Sequence, residues 1–323
     1  MHRPLTTTPD GYAVSSSQTI SDALHTATLM LERSSPTARL DAELLLEYVT
    51  GLTRANFRAA PERALPAAAG WSFQQLVKRR MRGEPVAYIR GQQAFWSLLL
   101  EVTPAVLIPR PETELVVERA LAHLDATTPA PLEGAAPAKH SPAAPAPVRI
   151  ADLGTGSGAI ALALASERPA AQVWAVDVSR EALEVACRNA ARLQIANVKL
   201  LQGSWLEPLR GERFDLVVSN PPYVAQDDAD LAPDVRRYEP AVALVPGVGG
   251  MEALETIIRE APAHLNPGGW LVLEHGWKQA AAVRERLVHH GYSHVRSHVD
   301  LSGHERVTEG SIPGTGTPPD TRP

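Results

Sequence analysis

Apolar positions follow two rhythms along the chain, and the change from one to the other divides it. From about Thr19 to Arg82 they recur at helical spacing. Leu24, Ala27, Thr28 and Leu31 follow i, i+3, i+4, i+7 behind Ser21, a residue type that caps helix N-termini. Leu40, Leu44, Leu45 and Tyr48 predict a second helix that stops at Gly51, where a left-handed residue is wanted. Phe73, Leu76, Val77, Arg80 and Met81 predict one face of a third. Together these helices predict a small bundle over residues 19–90. From Val148 the rhythm becomes strand–helix alternation. Strands are expected at Val148–Asp152, Val173–Asp177, Lys199–Leu201, Leu216–Ser219 and Trp270–Glu274, with helices from about Gly158, Ser179, Gly250 and Trp277. That order predicts a doubly wound parallel sheet with right-handed crossovers. Val295–Val299 and Glu305–Thr308 can add two further strands, so this unit is assigned to residues 148–308.

Residues 91–125 link the two regions. Trp96–Val102 and Ala105–Ile108 read as a short β-hairpin, and Pro111 suits the first turn of a helix to about Leu124. In 126–147, 14 of 22 residues are Ala or Pro without periodicity, which predicts a flexible insert too poor in large apolar residues to pack. Residues 1–18 and 309–323 are expected to be disordered tails.

Composition narrows the class. An apolar content of 44% and a charged content of 21% are ordinary for a globular protein. No run approaches the roughly 18 apolar residues of a membrane span, and Met1 to Ser17 lack the apolar core of a signal peptide. One cysteine, Cys187, cannot form an internal disulfide; a reducing cytoplasm is expected, with Cys187 packed inside a helix. The net charge of −5 disfavours a broad grip on nucleic acid. It is uneven: residues 1–110 carry 12 Lys and Arg against 9 Asp and Glu, and the remainder 19 against 27. Lys78, Arg79, Arg80 and Arg82 form the densest basic cluster, read either as a solvated helix face or as a docking patch.

Candidate chemistry lies at the ends of the predicted strands. Asp152-Leu153-Gly154-Thr155-Gly156-Ser157-Gly158 follows a strand and opens a helix, so the main chain can turn sharply and admit a ligand closely. The spacing is G-x-G-x-G, not the dinucleotide G-x-G-x-x-G. Asp152 would repel a pyrophosphate but could attract the cationic amino or sulfonium end of S-adenosyl-L-methionine (AdoMet). Asp177 ends the next strand, where a carboxylate can accept hydrogen bonds from both ribose hydroxyls or cap the helix near Ser179.

Asn220-Pro221-Pro222-Tyr223 follows the fourth strand, beside the crevice where ligands bind in such sheets. An amide or aromatic amine nitrogen is a poor nucleophile because its lone pair is delocalised. The Asn220 side-chain carbonyl and the Pro221 backbone carbonyl can bind its two hydrogens and stabilise the positive charge that develops as a methyl arrives. Proline fixes φ and offers no competing donor, and the Tyr223 ring can orient the planar group. Alignment supplies the rest, without a strong general base.

At this point the chain resembles the HemK/PrmC family of release factor glutamine methyltransferases, from about Ile20 to Thr308. The resemblance rests on Glu84-Pro85-Val86-Ala87-Tyr88-Ile89, Phe95-Trp96, Leu107-Ile108-Pro109-Arg110-Pro111-Glu112-Thr113-Glu114, the glycine loop, Asn220 to Tyr223, Tyr238-Glu239-Pro240 and Glu274-His275-Gly276. It implies a Rossmann-like AdoMet-dependent methyltransferase sheet with an N-terminal helical domain that docks the substrate and a linking hairpin. It implies AdoMet as methyl donor, no metal, and the GGQ glutamine of class 1 peptide chain release factors as acceptor. Cofactor contacts are implied at Gly154, Thr155, Gly156, Ser157, Gly158, Asp177, Trp205 and Asn220. Asn220, Pro221, Pro222 and Tyr223 are implied to grip the glutamine, with Asn220, Pro221 and Tyr223 catalytic. Arg110 and Glu112 would shape the cofactor entrance. Trp205 stacks on adenine or packs in the core; Ser204 stands where relatives often carry an acid. The alternative is an adenine-amino methyltransferase acting on nucleic acid, which uses the same tetrapeptide chemistry on a flipped base. No membrane association and no direct nucleic-acid contact are expected.

Overall fold

The computed structural model describes residues 18–127, 146–226, 231–245, 247 and 249–314. The expected tails up to Ser17 and from residue 315, and most of the 126–147 insert, lie outside the described residues. Two compact units divide between Gly91 and Gln92.

The first unit is helical: α1 (Ile20–Leu31), α2 (Ala38–Thr50), α3 (Arg54–Ala59), α4 (Ala67–Met81) and α5 (Val86–Arg90). The cap of α1 is Thr19, not Ser21. Thr19 Oγ1 accepts from Asp22 N at 3.1 Å while Asp22 Oδ2 accepts from Thr19 N at 3.3 Å, a reciprocal capping box. Helix α2 stops at Gly51, at φ 68°. Its buried face carries Ala38, Ala42, Leu45 and Leu46, whereas Leu40 and Tyr48 are exposed, so the expected stripe is displaced around the helix. The reason is polar. Asp41 is buried and accepts from Ser35 Oγ (2.8 Å), Thr37 Oγ1 (2.9 Å) and Arg80 Nε (2.7 Å), which turns its side of α2 inward. Arg80 is therefore no solvated residue; it joins α4 to α2. Arg79 is held by Glu84, and Lys78 is exposed.

The second unit opens with an antiparallel hairpin, β1 (Gln92–Phe95) and β2 (Leu98–Glu101), one element earlier than expected. Trp96 sits in the two-residue turn at φ 54°, so the chain reverses there and Ala105–Ile108 stays outside the sheet. A 3₁₀ turn at Pro111–Thr113 leads into α6 (Glu114–Thr127). Alternation follows: β3 (Arg149–Leu153), α7 (Ala159–Glu167), β4 (Gln172–Asp177), α8 (Arg180–Arg192), β5 (Val198–Gln202), β6 (Phe214–Ser219), α9 (Pro233–Tyr238), α10 (Glu252–Glu260), β7 (Leu265–Glu274), α11 (Ala280–His289), β8 (Ser293–Val299) and β9 (Glu305–Ser311). The seven-stranded sheet has the order β5-β4-β3-β6-β7-β9-β8. It is parallel as far as β7; β9 runs antiparallel to both β7 and β8. Helices α6 and α7 pack on one face, and α10 and α11 on the other. Among the described residues no helix is long and apolar enough to cross a membrane.

Two expectations fail here. Cys187 is exposed, because Ala182, Val185, Ala186 and Asn189 form the buried side of α8 and position 187 falls off it. Strand β9 continues through Glu309 to Ser311, inside the stretch expected to be a tail. Glu309 anchors that extension. Fully buried, it accepts from Arg119 Nε (3.1 Å) and Arg296 Nε (2.5 Å), with His123 Nε2 at 3.0 Å and His298 Nε2 at 3.1 Å. Burial alone would raise its pKa, but the hydrogen bonds from His123, His298, Arg119 and Arg296 together hold it well below the ordinary carboxylate range. Glu309→Ala would leave Arg119, His123 and His298 without the buried carboxylate on which they converge, while Arg296 keeps access to water. It is expected to lower stability by about 3–5 kcal/mol, the range for removing one partner of a buried pair; urea titration at neutral pH checks this, and a loss under about 1 kcal/mol would contradict it.

Candidate active site

The glycine loop, Asp177, Trp205 and the tetrapeptide lie at or just beyond the carboxyl ends of the parallel strands β3, β4, β5 and β6. The turn after β3 is pinned first: Gly154 N and Thr155 N both donate to Val176 O of β4, at 2.8 and 2.9 Å. Gly154 takes φ 75°, and a Cβ there would stand 3.4 Å from the Trp205 ring. Asp152 braces the turn from below. Its Oδ2 accepts from Thr155 Oγ1 (2.6 Å) and Ala161 N (3.1 Å), while Oδ1 is buried without a hydrogen-bond partner among the described residues. Burial pushes its pKa up to about 7, against the lowering effect of the Thr155 and Ala161 hydrogen bonds. Asp152 thus holds the loop and does not line the cavity, in contrast to the cation-attracting role expected of it. Asn189 fixes the other side: Nδ2 donates to Ser157 O (2.9 Å) and to Glu101 O (3.0 Å), tying loop, helix α8 and hairpin together.

The resulting cavity is about 360 Å³, within the range of small-ligand sites. Of the residues expected to hold the cofactor, Gly154, Thr155, Gly156, Ser157, Asp177, Trp205 and Asn220 line it; Gly158 lies behind as the N-cap of α7. Asp177 Oδ2 accepts from Gly156 N (2.8 Å) and Oδ1 from Ser179 N (2.9 Å). Each oxygen keeps a further lone pair, and burial raises the pKa above the ordinary value. Trp205 is half-buried at φ 46° and lies against Gly154, so it both packs and walls the cavity. Ser204 lines the cavity as well. These residues fit AdoMet: the glycines let the backbone approach closely, the Asp177 carboxylate has lone pairs left to accept from hydroxyls, and an indole supplies a flat apolar wall.

Around Asn220 the expectations divide. Asn220 and Pro222 line the cavity; Pro221 is buried behind them. Tyr223 leans away from the cavity toward the end of β7, where its hydroxyl donates to Glu274 Oε1 at 3.1 Å. Asn220 Nδ2 donates to Thr113 Oγ1 at 3.0 Å, which leaves Oδ1 as the group without a hydrogen bond among the described residues. Arg110 lines the cavity and donates to the buried Glu239 at 2.5 Å, while Ile108 N donates to the other Glu239 oxygen at 3.2 Å. Glu112 is exposed and does not line it. Gln279 holds the turn after the tetrapeptide: its Nε2 donates to Tyr223 O (3.1 Å) and Gly250 O (3.2 Å). Gly250 must lack a side chain, since a Cβ would come within 2.7 Å of Tyr223 O.

Sequence reasoning gave no role to Thr113, Glu239, Glu274 or Gln279. The first three sit inside recognised segments, but only their partners across the fold reveal what they do.

A Rossmann-like sheet, a glycine loop, a ribose-type carboxylate and an acceptor-bearing tetrapeptide at adjacent strand ends define the class: an AdoMet-dependent methyltransferase. The sequence comparisons agree. The family described as PrmC N-terminal domain matches residues 22–91, and the one described as methyltransferase small domain matches residues 139–236. A release factor glutamine methyltransferase of Xylella fastidiosa is 49% identical over 276 residues, covering 85% of this chain and 94% of that protein. Its counterpart in Salmonella typhimurium is 47% identical over 287 residues, covering 89% and 96%. Among solved structures, a methyltransferase from Pyrococcus furiosus has a TM-score of 0.45 at 23% identity, covering 75% of this chain and 99% of that one. The chain belongs to the release factor glutamine methyltransferase family.

Two of the raised carboxyls make a testable contribution to stability. Asp152 and Glu274 both have folded pKa values pushed up to about 7 by burial, above their ordinary values of 3.8 and 4.5. The folded chain therefore binds protons more tightly than the unfolded chain. Their contribution is complete below about pH 4 and is lost as pH rises to about 7. Glu274→Gln, neutral throughout, should gain on the native protein by about 1–3 kcal/mol between pH 4.5 and 7.5. Urea titrations of both proteins at the two pH values check this; a stability difference that stays constant with pH would refute it.

Proposed function

We propose that this chain transfers the methyl group of AdoMet to the side-chain amide nitrogen of the glutamine in the GGQ motif of class 1 peptide chain release factors, in the cytoplasm. The observation that carries the reading is the orientation of Asn220. With Nδ2 engaged by Thr113, Oδ1 is the acceptor presented where a planar N–H₂ must be gripped. Bound AdoMet supplies an electrophilic methyl on a positively charged sulfur. Asn220 Oδ1 and the Pro221 carbonyl then hold the two amide hydrogens, so that the nitrogen is aimed and its growing positive charge is stabilised. Asp177 and Trp205 orient the nucleoside, and Tyr223, tethered to Glu274, fixes the far end of the tetrapeptide. The names of the relatives support the release factor as the acceptor protein. The adenine-amino alternative draws no support from the acidic balance of residues 111–323.

Two substitutions separate binding from chemistry. Asp177→Ala should weaken AdoMet affinity by ~1.5–3 kcal/mol, the scale of hydrogen bonds to a charged group. Asn220→Ala should leave AdoMet affinity within a few-fold and lower turnover by roughly 100-fold or more. Calorimetry with AdoMet and a mass measurement of methyl addition to the release factor glutamine give the two readouts. Near-normal turnover in Asn220→Ala would sink the amide-gripping mechanism.

One glutamine side chain offers too little contact to select a single residue in one protein, so a surface remote from the reacting nitrogen must supply specificity. The N-terminal helical unit is the part we assign to this docking. Of its basic cluster, Lys78 is exposed, whereas Arg79 and Arg80 are paired internally. Lys78→Glu is expected to slow association with intact release factor by about two- to fivefold at low salt, the defect fading as salt is raised. Methylation of a short GGQ peptide should be unchanged. An equal loss on both substrates would remove the docking assignment.

A further inference from the structure

Asn220 can serve as an acceptor only if its amide is held one way round. An amide is nearly symmetrical in shape, and the reverse orientation would aim two N–H groups at the substrate's own N–H₂ and repel it. The tetrapeptide itself contains nothing that decides between the two. The deciding contact comes from Thr113, 107 positions away in the chain, whose Oγ1 lies 3.0 Å from Asn220 Nδ2. A hydroxyl is ambivalent, however: it can accept from Nδ2 or donate to Oδ1, so Thr113 alone would stabilise either orientation.

Glu274 removes the ambivalence. It is buried at the end of β7, bears on the Thr113 hydroxyl, and takes the Tyr223 hydroxyl hydrogen on Oε1 at 3.1 Å. Its Oε2 is buried without a hydrogen-bond partner among the described residues and is open to a donor. An ionised carboxylate can only accept, so Glu274 in that form draws the Thr113 hydrogen and leaves only the lone pairs of Thr113 facing Asn220. Nδ2 must then point at Thr113, and Oδ1 must point at the substrate.

We propose that Thr113 and Glu274 are positioning residues for methyl transfer: they set the direction of a hydrogen-bond chain that runs from Asn220 through Thr113 to Glu274 and so fix Asn220 with its carbonyl toward the acceptor nitrogen. The same carboxyl holds the Tyr223 hydroxyl, so one buried group orients both ends of the tetrapeptide. The inference rests on the reading of Asn220 as the amide acceptor and extends it to residues that do not touch the reacting atoms.

The test uses the full-length enzyme, AdoMet and intact release factor, with four variants. Thr113→Val keeps the shape and removes the hydroxyl; kcat is expected to fall by about 10- to 100-fold, with KM for release factor and Kd for AdoMet within about threefold. Thr113→Ser restores the hydroxyl and should return kcat to within about threefold of the native value. In the Asn220→Ala background, adding Thr113→Val should lower kcat no further, because Thr113 acts only through Asn220. A Thr113→Val enzyme with native kcat would overturn the proposal. So would a serine variant as poor as the valine one, or a Thr113→Val loss of equal size in both backgrounds, which would mark a general packing defect. If Asn220→Ala alone leaves kcat intact, the acceptor reading fails first, and that result is distinct from a failure at Thr113.

Discussion

Two carboxyl groups, Asp152 and Glu274, are kept out of water at the carboxyl ends of strands of one sheet, a third, Asp177, stands partly buried at the cavity wall, and the site depends on how each is accommodated. Asp152 on β3, Asp177 on β4 and Glu274 on β7 all carry raised pKa values with burial as the leading cause. A buried carboxylate is tolerated when hydrogen-bond donors surround it, and each of the three finds donors that also shape the crevice. Asp152 is supplied by the glycine turn and the start of α7, so the turn cannot relax without stranding the charge. Asp177 is supplied by Gly156 and Ser179 backbone amides, which brings the loop tip against the neighbouring strand. Glu274 is supplied by side-chain hydroxyls, so it organises residues instead of backbone.

That difference suits the two halves of the reaction. Cofactor recognition asks for a fixed cradle, and main-chain donors on a stiff sheet provide one. Acceptor recognition asks for correct polarity at a single amide, and polarity is a property of side-chain hydrogens. The ends of β6 and β7 are adjacent in the sheet, so Asn220 and Glu274 are neighbours by topology, and the Pro111–Thr113 turn adds Thr113 between them. Proline at two successive positions keeps the strand exit from adjusting to a misplaced partner. The amide-binding face proposed above thus draws on three separate chain segments.

The elements legible in the sequence were those whose signal is local. Strands β3, β4, β6 and β7, the glycine loop and the tetrapeptide each announce themselves within about ten residues, through an apolar run followed by a turn residue with a stated purpose. What was not legible depends on partners far apart in the chain. Buried polar residues look like surface residues in a hydrophobicity pattern; Asp41 rotated α2 away from the stripe marked by Leu40 and Tyr48 for this reason. Glu309 looked like the start of a polar tail, yet Arg119, His123, Arg296 and His298 converge on it and carry β9 onward. Tyr223 was expected over the substrate because aromatic rings stack on planar groups, but its hydroxyl has a stronger claim on it at Glu274.

The same consideration revises what charge can do in the N-terminal unit. A count of lysines and arginines treats every cation as available to a partner. Here Arg80 is engaged by Asp41, Arg79 by Glu84, and Arg39 and Arg54 both by Glu43. Cations held in such pairs project little field beyond their own carboxylates, so the net excess of residues 1–110 overstates the attraction felt by an approaching protein. The exposed surface of this unit also carries Leu29, Tyr48, Trp71 and Met81. Aromatic and methionine side chains are the types that anchor protein interfaces, whereas rim charges mainly set encounter rate. If this unit docks the protein substrate as proposed, its exposed aromatic and methionine side chains are better suited to anchor the contact than its basic cluster, with Lys78 adding to the speed of encounter.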